Sequence, residues 1–194
     1  MPRDLDDYKV IIQAINYLAK KAGGSIDKIK LIKLLYLADK YHLRKYGRTI
    51  TEDSYYAMEY GPVASTVLDI LNNTLITNDP RSLAKINKYI TQYLEIQKNT
   101  IRSKEKVDFA YLSKSDIEAL NFVYEKVGNM PSFDLSRYTH KTPEYKKHEE
   151  VLIRGKKKRA PMNFEEWFKE SDDVAAKATE NVAKLTKEIF SDIG

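Results

Sequence analysis

The sequence predicts an α+β protein that is predominantly helical: a helical domain with a small antiparallel β-sheet and a C-terminal helical extension. Three observations lead there. Apolar residues recur at three- and four-residue spacing over most of the chain, and capping and stop residues punctuate the pattern. Residues 50–59 alternate instead, as a half-buried strand does. Two further stretches, around Ile96–Ile101 and Val107–Tyr111, read as one or two additional strands.

The first helix covers 5–21, with Asp4 as cap and Val10, Ile11, Ala14, Tyr17 and Leu18 on one face. Ser25 is placed to cap a second helix over 26–46, closed by Gly47. Its apolar residues cover more than one stripe, so it is expected to be central. Lys28, Lys30, Lys33, Lys40, Arg44 and Lys45 are then expected as its wet edges. After the strand at 50–59, Gly61 and Pro62 read as an elbow. Glycine allows the turn and proline fits a first helical position, with Val63, Val67 and Leu71 continuing as a helix to Asn72 and Asn73. Residues 74–87 carry no clear pattern beyond a turn at 78–80.

Further on, Ser113 and Asp116 form a capping box for a helix ending at Gly128. Short helices open at Ser132 and at Pro143, the latter behind Thr142. Asn163 caps 164–168 and Ser171 is placed to cap the last helix. Ala175, Ala178, Val182, Leu185 and Ile189 would make its seam, against the body or a partner. The expected organisation is a domain over 1–155, then a basic loop and helical extension over 156–194.

Composition limits the function. The chain has 194 residues and no cysteine, which removes disulfides, thiolate metal sites and cysteine nucleophiles. Its beginning, MPRDLDDYKV, is too polar and acidic for a secretory leader, and no apolar run reaches membrane-spanning length, so a cytoplasmic location is expected. Charge is uneven. Residues 1–162 hold 29 basic against 20 acidic side chains, whereas 163–194 hold 4 against 8. That suits an acidic partner, or a tail that screens its own body. Fourteen tyrosines offer rigid amphipathic contact area.

Catalytic patterns are missing. His140, Glu144 and His148 have metal-ligand spacing, but Pro143 breaks the helix that would align them, so no metal is expected. Serines sit in no nucleophile elbow and the glycines form no phosphate loop. The acidic pairs at helix starts answer the helix dipole. The run RGKKKR, residues 154–159, suits phosphate contacts or a solvated loop.

Three stretches together resemble the SocA-like, or Panacea, antitoxin domain of bacterial and phage toxin–antitoxin systems. They are KLIKLLYLADKYHLRKYGRTIT at 30–51, AMEYGPV at 57–63 and LSRYTHKTPEY at 135–145. Tyr145 stands where the family pattern has tryptophan. The resemblance implies a mostly helical domain with a small sheet and no catalytic residues, cofactor or metal. It implies a cognate protein toxin as partner, encoded by the adjacent gene and neutralised by direct binding; delivery to a protease and regulation through DNA are the alternatives. The motif residues it singles out are Tyr60, Gly61, Pro62, Thr139, His140 and Tyr145, as shapers of the domain or as partner contacts.

Overall fold

The structure, a computed structural model, describes residues 3–155 and 157–193. Helix α1 (Leu5–Lys21) opens on a capping box in which Asp4 and Asp7 satisfy each other's amides. Its buried face, with Ile11, Ile12, Ile15 and Leu18, rests against helix α2 (Lys28–Tyr46). The chain between them departs from the expected single helix. Ser25–Asp27 forms strand β1, and Asp27 rather than Ser25 caps α2 by accepting from the Lys30 amide. The physical reason is a partner distant in sequence: Ile26 pairs with Ile101 and is buried there.

Helix α2 is the axis of the molecule, packed by elements from both ends of the chain. Gly47 closes it in the left-handed region, at φ 79°. Asp39, fully buried, accepts from the Ile50 and Thr51 amides and from the Tyr55 hydroxyl, so it pins the loop to β2 (Tyr55–Met58).

The elbow expectation fails at Gly61–Pro62. Residues Gly61–Ala64 are strand β3, antiparallel to β2, and the turn lies at Glu59–Tyr60. Pro62 faces Ala57 in a strand at the sheet's edge, where its missing donor costs no ladder bond. Helix α3 (Ser65–Asn72) begins afterwards, capped from afar by Asp53, which accepts from the Val67 amide and the Thr66 hydroxyl. The unassigned stretch contains helix α4 (Pro80–Tyr93), capped by Asp79.

The stretch around Ile96–Ile101, expected as strand, holds the turn and both strands of a hairpin, β4 (Leu94–Ile96) and β5 (Thr100–Ser103), which with β1 make a sheet in the order β1-β5-β4. Val107–Tyr111 is not a strand; Asp108 caps a 3-10 turn over Phe109–Tyr111. Helices α5 (Lys114–Val127), α6 (Ser132–His140) and α7 (Pro143–Ile153) follow. Thr142 precedes α7 without capping it through its side chain, because its hydroxyl donates back to the Thr139 carbonyl.

Strand β6 (Arg159–Pro161) joins β2 to complete the second sheet, β3-β2-β6, so the extension is woven into the body. Asn163 caps the 3-10 turn Phe164–Phe168, as expected. The last helix is two: α8 (Val174–Ala178), capped by Asp173, and α9 (Glu180–Ile193). The Thr179 hydroxyl donates to the Ala175 carbonyl while accepting from Arg44, and the helix breaks at that residue. The break shifts the seam. Ala175, Ala183 and Thr186 are buried, while Val182 and Leu185 are 37% and 64% exposed. The side chain of Ile189 lies outside what is described. The fold class is the one the sequence predicts, a predominantly helical α+β protein. No helix among the described residues is long and apolar enough to cross a membrane.

Candidate functional site

The largest departure from the sequence reading runs along α2. Lys33, Lys40 and Arg44, expected as wet edges, are all buried. They lie seven and then four residues apart, with Tyr36 between, and so share one helical face. A buried cation is costly unless something answers its charge or it sheds its proton. Both solutions occur on this face.

Lys33 takes the second. Among the described residues its side chain has one hydrogen bond, from Nζ to the Pro62 carbonyl at 2.9 Å, and no carboxylate pairs with it. Burial pushes its amine down to about 7 from the ordinary lysine value. Around it the motif residues converge. Gly61 has φ +100°, and a Cβ there would stand 3.0 Å from Lys33 Nζ, Thr139 Oγ1 and His140 Cδ2 alike. Glycine is required twice over, by backbone angle and by proximity. Ser136 donates to the Tyr60 carbonyl at 2.8 Å, and the Tyr145 hydroxyl donates to the Met58 carbonyl at 2.9 Å. His140 stacks on Tyr145 with ring centres 4.4 Å apart. Burial, followed by the charge of Lys33, lowers the His140 pKa, and its Nε2 finds no partner among the described residues. The β2–β3 turn is thereby held by α2, α6 and α7 through its own carbonyls.

All six motif residues meet at this turn. Five of them are spent on packing and backbone bonds. Tyr60 differs, for the residue is 56% exposed. It stands at the edge of a groove of about 870 Å³ between the turn, α3 and the end of α7, with Ile29, Ile32, Val63, Leu68 and Leu152 among its lining.

Lys40 and Arg44 take the first solution, and their partners come from the extension. Lys40 donates to Glu144 at 2.6 Å and to Asp173 at 2.7 Å. Tyr36 donates to the same Glu144 and bonds Thr142. Burial pushes the Asp173 carboxyl up, but the Lys40 charge and hydrogen bond outweigh it and hold it below the usual carboxylate range. Arg44 reaches Thr179 Oγ1 at 2.7 Å and the carbonyls of Trp167 and Ala176 at 2.8 and 3.3 Å. Trp167 is fully buried against Tyr36, Tyr55 and Phe164. Glu144 is thus turned to Lys40, away from any shared site with His140 and His148.

The sequence did hold a signal for these cations. A helix with apolar residues on several sides leaves no wet face, and an acidic tail was available to meet a basic one.

Residues 31–146 match the family model for the antitoxin SocA-like Panacea domain. The chain belongs to that family. The match covers α2, both strands of the β2–β3 hairpin, α6 and the start of α7, so it contains every motif residue around Lys33. The part of this Panacea domain that answers Lys40 and Arg44 through Asp173, Trp167 and Thr179 falls beyond the matched segment. No curated protein and no solved structure gives a match alongside it.

Proposed function

We propose that this protein is an antitoxin that neutralises a cognate protein toxin by covering it, without chemistry, in the cytoplasm. Membership of the antitoxin family supplies the class. The observation that carries the binding mode is the fate of the motif residues: five lock the β2–β3 turn in place, and the sixth, Tyr60, offers an exposed aromatic ring beside an apolar groove. Such a ring on a rigid mount loses little entropy on binding, which suits an interface anchor. The extension over 156–194 acts in this reading as part of the domain body. Its strand, its tryptophan and Asp173 are all engaged with residues before 156.

The test is co-expression with the product of the adjacent reading frame. The neighbour alone should arrest growth, and this chain should restore growth and co-purify with it at fixed stoichiometry. A harmless neighbour, or rescue without a complex, refutes the proposal. Toxin half-life with and without this chain separates covering from delivery to a protease, since covering leaves the half-life unshortened.

A further inference from the structure

We propose that the groove beside Tyr60 seats an acidic, amphipathic segment of the toxin; this rests on the antitoxin reading above. Of its apolar lining, Ile29 and Leu68 are half-buried and open to the groove in the free chain, over a buried floor that includes Ile32 and Val63. Lys157 and Lys158 line the same groove from the loop after α7, and neither has an ion pair among the described residues. An apolar lining with unanswered cations beside it is complementary to a segment that carries apolar side chains on one face and carboxylates along its border.

Other occupants fit less well. The acidic tail of this chain is anchored elsewhere, with Trp167 and Thr179 bonded to Arg44, and three of its carboxylates are paired there, Asp173 with Lys40, Glu166 with Lys147 and Lys169, and Asp172 with Lys177. A second copy placed by two-fold symmetry would set Lys157 and Lys158 against themselves. A nucleic acid would use the cations and leave the apolar lining without a partner.

The experiment measures association and dissociation of the purified chain with the toxin from the adjacent reading frame, at low and high salt. Lys157→Glu/Lys158→Glu should slow association about tenfold and flatten its salt dependence, because rim charges act through steering. Tyr60→Ala and Leu68→Lys should instead speed dissociation, by about tenfold or more, because buried anchors act on residence time. Tyr60 is exposed, so its variant folds as the wild type does. Wild-type rates in the charge-reversed and Tyr60 variants would overturn the groove assignment and leave the antitoxin reading standing. Wild-type chain that fails to bind the toxin would overturn both. Variants that lose affinity for promoter DNA while keeping toxin rates would also overturn it.

Discussion

Lys33 should cost the protein stability, and replacing it should return some. Its amine titrates near 7 in the fold against 10.5 in the open chain, a gap of about 3.5 units. At about 1.36 kcal/mol per unit, keeping it buried costs roughly 4 kcal/mol at pH 7. Lys33→Met removes that penalty but strips the Pro62 carbonyl of its donor, a loss of about 1–3 kcal/mol. A net gain of about 2 kcal/mol is expected at pH 7. The pH dependence is the sharper signature. Between pH 7 and 10.5 the unfolded chain holds a proton at Lys33 that the folded chain lacks, so this residue makes the wild type more stable as pH rises. The advantage of Lys33→Met should therefore shrink by about 2 kcal/mol from pH 7 to pH 9. Urea denaturation followed by the fluorescence of the single tryptophan measures both quantities. A variant less stable than wild type at pH 7, with a gap that does not narrow toward pH 9, would refute the argument.

The neighbouring contacts give further tests. Gly61→Ala forces a side chain into the left-handed region against Lys33, Thr139 and His140, and should lower stability by about 1–3 kcal/mol, read as a fall in melting temperature. Lys40→Ala leaves Glu144 and Asp173 facing each other unanswered and should cost about 3–5 kcal/mol; adding Glu144→Gln should recover part of that loss in the same urea titration. Trp167→Ala empties the space between Tyr36, Tyr55 and Phe164 and should cost about 3–5 kcal/mol by denaturation followed with circular dichroism.

What could be read from the sequence was local. Asp4, Ser113 with Asp116, and Asn163 all act as helix caps at the positions their spacing indicated, because a cap needs only neighbours within a few residues. Failures came where a distant partner decided. Ile26 leaves the helix pattern for Ile101, Pro62 enters a strand opposite Ala57, and Thr179 interrupts the last helix for Arg44. The motif stretches led to the six residues of the turn, yet Lys33 at their centre read as a surface lysine. Its burial depends on α6 and on the hairpin, neither of which periodicity along α2 can register.

The pairing of Arg44 with Thr179, Trp167 and Ala176 ties the middle of the chain to its last portion. A ribosome adds residues in order, so Arg44 has none of those acceptors until Trp167 is added, 123 residues later. Lys40 waits likewise for Asp173. The nascent Panacea segment is therefore an unfinished object until the acidic tail arrives. A chain that stops before that tail leaves Arg44 without the acceptors that offset its burial.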